Sequence, residues 1–214
     1  MNVRERRDYT QFRNRTNCWI LTSGFYNEGM VITTSPLVKT YTLQEFWDLP
    51  EPKDRSKMEL IKGVLYMSPP PEEIHDDVAA MLIGQIRDAI RDHGYNGRIY
   101  APRAAIWIDD TYLEPDLMYL SDELRRSMPP KHRTSADLVV EITSPSSERY
   151  DRTTKADTYQ AMRVREMWLV DPDKQTVEVR YFSAGASTVF ASGDVVESRV
   201  LPEIDLPVSA IFVR

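Results

Sequence analysis

The chain is short of cysteine, of histidine and of positive charge, and it has no long apolar run. Cys18 is the single cysteine among 214 residues, so no internal disulfide is available. That pattern suits a reducing compartment. His75, His93 and His132 lack the spacing of a ligand pair, and with one cysteine they leave little basis for a zinc site. No stretch approaches the ~20 apolar residues that span a bilayer. Within the basic N-terminus the apolar stretch Cys18-Trp19-Ile20-Leu21 is too short for a secretory signal. A cytoplasmic location with no membrane partner is therefore expected. Asp and Glu outnumber Lys and Arg by 33 to 27, a net charge of -6. This balance disfavours non-specific phosphate binding, although carboxylates that hold a metal are neutralised in use. Two local basic clusters stand out: Arg125, Arg126, Lys131, His132 and Arg133, then Arg149, Arg152 and Lys155. Each is either a phosphate contact or ordinary solvated surface.

What is present describes one sizeable soluble domain, with 42% hydrophobic and 28% charged residues. Residues 1–40 are polar and basic, then mixed, without periodicity, and read as an N-terminal extension. Residues 41–214 read as the domain. Thr42-Leu43-Gln44-Glu45 has the capping-box pattern of a helix start. Apolar runs at 57–61 and 64–67 around Lys62-Gly63 predict a β-hairpin. Ile74, Val78, Met81, Leu82, Ile86 and Ile90 recur at helical spacing, predicting a long helix from Glu72 to about His93. Strands are expected at 98–101, 104–108, 116–120, around Glu141, and at 167–170 and 176–182. A polar loop with one helical turn is expected at 121–136, and a helix over about 151–163. The order is that of an α/β fold with a mixed sheet of six to eight strands flanked by helices.

Three carboxylates interrupt this apolar pattern. Glu141 lies within Asp137-Leu138-Val139-Val140-Glu141-Ile142-Thr143, Asp116 follows Pro115 at the head of an apolar run, and Glu59 sits in the first hairpin. Alternation puts Asp137, Val139, Glu141 and Thr143 on one face of their strand. A buried ionised carboxylate costs several kcal/mol unless it is paired. Solvent at a strand edge or an arginine would satisfy Glu141, and Pro-Asp alone can simply start a turn. Taken together, the three suit a hard cation such as Mg2+ or Mn2+. Lys155, four residues after Asp151, is either half of a surface ion pair or a cation that steadies charge developing on phosphorus.

These residues occur in a recognisable order: Met58-Glu59-Leu60-Ile61-Lys62-Gly63, His75, Pro115-Asp116, Val140-Glu141-Ile142-Thr143-Ser144-Pro145-Ser146, Asp151, Lys155, Tyr159, and Val164 through Pro172. The order resembles the bacterial Uma-two family of restriction endonucleases, within the PD-(D/E)XK nuclease superfamily, over roughly residues 41–212. The resemblance implies a restriction-endonuclease-like mixed β-sheet flanked by helices and a Mg2+-dependent endonuclease acting on DNA. Asp116 and Glu141 would be the metal ligands, Glu59 would complete the acidic cluster, and Lys155 would be the catalytic lysine. His75 would neighbour the site, or else serve as a satisfied core histidine. Ser144 and Ser146 would hydrogen-bond near the metal, with Asp151 and Tyr159 structural. In the superfamily the lysine stands two residues after the glutamate, where this chain has Thr143. That departure keeps a second function in view, a catalytically inactive nucleic-acid-binding or accessory module on the same fold. A hydrolase of small phosphoesters is a third. Cutting two antiparallel strands suits a homodimer.

Overall fold

The computed structural model describes residues 38–54 and 56–212. All but the last three residues of the expected N-terminal extension, Cys18 among them, lie outside the described residues. Thr42 opens helix α1 (Leu43–Trp47) with a capping box: its hydroxyl accepts from Glu45 N while the Glu45 carboxylate accepts from Thr42 N. Strands β1 (Lys57–Ile61) and β2 (Val64–Ser68) pair antiparallel. Lys62 and Gly63 between them have φ of 50° and 75°. Two successive left-handed residues match the right-handed twist of a hairpin. After Pro69–Pro71 comes α2 (Glu73–Asp92), which buries Val78, Ala79, Leu82 and Ile86.

The chain continues through β3 (Gly97–Tyr100), β4 (Ile106–Ile108), β5 (Thr111–Leu113) and β6 (Leu117–Ser121). Ser121 then caps α3 (Asp122–Ser127) by accepting from Leu124 N. Strand β7 (Leu138–Ile142) leads to a helical crossover built from α4 (Glu148–Tyr150), a π-turn (Asp151–Lys155) and α5 (Ala156–Ala161). Strands β8 (Glu166–Asp171), β9 (Thr176–Tyr181) and β10 (Ala186–Phe190) follow.

The strands form two sheets, where a single mixed sheet was expected. One is antiparallel in the order β2-β1-β5-β4, and the other is mixed in the order β10-β9-β8-β7-β6-β3. The β4–β5 hairpin makes the difference. Its strands have three residues each, too few for alternation to register, and β5 was not anticipated. Among the described residues only β7 and β8 pair in parallel, and a parallel pair needs a long crossover, here the helical segment after β7. Asp116 falls just before β6 rather than inside it.

Both faces of the six-stranded sheet are covered. Leu138, Val140 and Ile142 pack with Trp168 and Val170 against Val78, Leu82 and Ile86 of α2. Val139, Met167 and Leu169 pack on the other face with Ala156, Tyr159 and Met162 of the crossover and with Ile61, Ile106 and Leu113 of the smaller sheet. Each large side chain buried this way contributes up to roughly 1.5–3 kcal/mol. Glu141 belongs to the second, sealed face, as alternation requires. No helix among the described residues is long and apolar enough to cross a membrane.

Candidate active site

Glu141 is 1% exposed, and Lys155 is its counterion. The Lys155 ammonium lies 2.9 Å from Glu141 Oε2, 3.2 Å from Glu59 Oε2 and 3.3 Å from Asp151 Oδ1. The Tyr159 hydroxyl donates to Glu141 Oε1 at 2.5 Å. Glu59 is pinned on its other oxygen by Glu114 N at 3.0 Å. Its Oε2 is buried with no well-formed hydrogen bond and has only the ion contact to Lys155. Asp116 holds a separate set of partners. Lys57 Nζ is 3.1 Å from Oδ1, His75 Nε2 is 3.1 Å from Oδ2, and Ile142 N donates to Oδ2 at 2.8 Å. The last bond ties Asp116 to the strand position directly after Glu141.

The π-turn brings Asp151 and Lys155 inward. Thr153 Oγ1 donates to Arg149 O and Thr158 Oγ1 to Thr154 O, each four residues back. Such hydroxyl bonds compete with the backbone ladder and bend helices. A widened turn is a common way to re-aim side chains at a functional site.

Electrostatics follow from one ammonium shared among three carboxylates. Burial opposes charge on Lys155, yet Glu141, Glu59 and Asp151 together hold its pKa well above the ordinary lysine value. Burial pushes Glu141 up, and the share of Lys155 it receives does not offset this. Asp151 is raised for the same reason. Burial also opposes ionisation of Asp116, but Lys57 and His75 outweigh it and keep that carboxyl well below the usual range. Burial opposes protonation of His75, and the bond to Asp116 wins, raising it. Four carboxylates thus face two ammoniums and one histidine.

The cluster opens into a cavity of about 570 Å³, whose lining includes Lys57, His75, Asp116, Glu141, Thr143 and Lys155. Residues 43–209 match the sequence pattern of the Uma2 family, described as "Putative restriction endonuclease". The chain belongs to this family. Its fold is also that of a solved structure, "a putative nuclease belonging to DUF820" from Anabaena variabilis ATCC 29413. The two share 23% identity, with a TM-score of 0.67 over 80% of this chain and 97% of that one. No curated protein matches the sequence. Family and fold are those of restriction-endonuclease-like nucleases.

In this Uma2 chain, Glu59, Glu141 and Lys155 meet directly, and His75 meets Asp116. Asp116 and Glu141 line one cavity but share no partner side chain through a recorded hydrogen bond or ion pair. Among the described residues, no three His, Cys, Asp or Glu side chains are grouped as metal ligands. The carboxylate oxygens point at internal donors. Ser144 and Ser146 line the cavity rim and bond each other at 3.0 Å. Asp151 and Tyr159, read from sequence as structural, belong to the cluster itself.

Lys57 escaped the sequence reading. The available signal was its position two residues from Glu59 on β1, which puts both on one face. Glu166 gives the opposite lesson. It too is a glutamate in an apolar strand and 1% exposed. Its oxygens accept from Trp168 Nε1, Ser198 Oγ, Arg199 N and Val200 N. Those donors lie outside the lining of the cavity beside Glu141.

Proposed function

We propose that the domain, residues 41–214, is a Mg2+-dependent DNA endonuclease, with Mn2+ able to substitute. One observation carries this reading: an ammonium from the crossover meets carboxylates from β1 and β7, and the ammonium and the β7 carboxylate line a cavity. The donor set suits a hard cation. The carboxylates outnumber their positive partners, and Glu59 Oε2 is buried without a good hydrogen bond. Asp116 and Glu141 would hold the metal, with Glu59 beside them. A bound Mg2+ would supply Lewis acidity and lower the pKa of its water.

The chain's own groups do the rest. Tyr159 and Lys155 grip the two oxygens of Glu141 and fix its carboxylate plane. Ile142 N and Lys57 do the same for Asp116. Lys155, beside Glu141 and Glu59, offers positive charge to a phosphate in the transition state. A cytoplasmic homodimer cutting both strands of a duplex completes the proposal, on the two-fold symmetry of the substrate.

A plasmid-nicking assay with Mg2+, Mn2+ or EDTA tests it. Metal-dependent nicking that disappears in Glu141→Gln and Asp116→Asn supports cleavage at this site. Folded wild-type protein that nicks nothing in either metal refutes it. A second reading, a non-cleaving nucleic-acid-binding or accessory module, draws on two observations. The carboxylate oxygens already have internal partners, and Thr143 occupies the usual lysine position, its hydroxyl bonded to Val170 O. DNA binding without cleavage would select it.

A further inference from the structure

Four cationic side chains line the cavity: Lys57, His75, Arg103 and Lys155. Three are committed to carboxylates. Lys57 and His75 hold Asp116, and Lys155 holds Glu59, Glu141 and Asp151. Arg103 is exposed and, among the described residues, makes no ion pair or hydrogen bond. It lies in the turn between β3 and β4, closed by Ala104 N donating to Ala101 O.

Its backbone is left-handed, with φ of 74°, as at several other turns of the chain. A side-chain-bearing residue in the left-handed region is disfavoured and persists where its surroundings over-determine it. Exposed Arg103 lines the same cavity as the carboxylates Asp116, Glu141 and Asp151. A phosphodiester approaching the carboxylates is repelled by them, and a cation at the entrance offsets the repulsion. Guanidinium suits this task because its planar fork can hold two phosphate oxygens at once.

We infer that Arg103 is a substrate-binding residue that grips a backbone phosphate at the cavity mouth, an inference resting on the nuclease reading above. It fixes the strand's register and carries no sequence preference, as phosphate contacts generally do.

The test measures anisotropy of a short labelled duplex on the full chain in Ca2+ across a salt titration, alongside cleavage kinetics in Mg2+. Arg103→Ala should weaken binding about tenfold and reduce the salt slope by about one, the signature of one lost phosphate contact. KM should rise with kcat nearly unchanged. Arg103→Lys should keep the slope and recover part of the affinity. Arg126→Ala, at an exposed arginine outside the cavity lining that pairs with Asp122, should bind as wild type. If wild type binds and cleaves but Arg103→Ala matches it in affinity and slope, the inference fails and the nuclease reading stands. Equal losses in Arg103→Ala and Arg126→Ala also overturn it, by reducing the effect to general surface charge. If folded wild type neither binds nor cleaves the duplex, the nuclease reading itself fails and takes the inference with it.

Discussion

Replacing Lys155 with methionine keeps most of the side-chain volume and deletes the charge. The ammonium is within 3.3 Å of three carboxylates, and the side chains of Lys155, Glu59, Glu141 and Asp151 are each no more than 3% exposed. Water could take over the role only from the cavity side, because the rest of the cluster is packed against the second face of the large sheet. Removing one partner of a buried ion pair costs about 3–5 kcal/mol. Proton uptake by one of the stranded carboxylates limits the loss, so the lower half of that range is expected. Urea unfolding followed by tryptophan fluorescence measures it, since Trp168 is fully buried. The midpoint should fall while the m-value stays constant. A second prediction separates charge from packing. Adding Glu141→Gln to Lys155→Met should restore part of the lost stability, because fewer carboxylates are left unpaired. Saturating Mg2+ should stabilise Lys155→Met more than wild type if the acidic group accepts a divalent cation, since ligand bound only to the folded state adds stability. Lys155→Met within about 1 kcal/mol of wild type, with no coupling to Glu141, would refute the electrostatic account.

Other changes probe the scaffold. Glu166→Ala strips the partner from two backbone amides and the Trp168 indole, and should destabilise by roughly 3 kcal/mol in the same assay, with Glu166→Gln milder. Gly97→Ala would drive a methyl group into the buried Tyr119 ring, and thermal unfolding should show a loss of about 1–3 kcal/mol. The acid limb of stability should be shaped by Asp171 and Glu178. Burial opposes their ionisation, but Lys174 for the first, and Arg180 with Arg152 for the second, hold both carboxyls below their ordinary values in the folded state. Groups with lowered folded pKa stabilise above the unfolded pKa and lose that contribution as pH falls through the folded one. Asp171→Asn and Glu178→Gln should therefore flatten the stability loss below about pH 4. An unchanged acid limb in both would count against this pairing.

Much of the scaffold is written in local chemistry. The capping box at Thr42, the Lys62-Gly63 turn and the apolar period of α2 each need only near neighbours, and each formed where the pattern placed it. Alternation along 137–143 likewise assigned Glu141 to a face, because side chains on a strand cannot do otherwise. Strand β4 fell inside the run expected at 104–108, but the three-residue β5 left no such trace, and with it went the division into two sheets. The π-turn was equally invisible, since it arises from threonine hydroxyls competing within a helix that the pattern reads as regular.

By itself the sequence determined that this protein has an α/β core with acidic side chains set inside its strands, because periodicity and polarity are properties of neighbouring residues. Which partners those carboxylates meet was decided only in three dimensions. Glu166 and Glu141 look alike in the chain, yet one meets backbone amides and the other meets an ammonium from a distant helix beside an open cavity. That distinction depends on which groups, far apart in sequence, arrive at the same few ångströms, and Coulomb energy inside a protein is governed by that distance and by the water excluded from it.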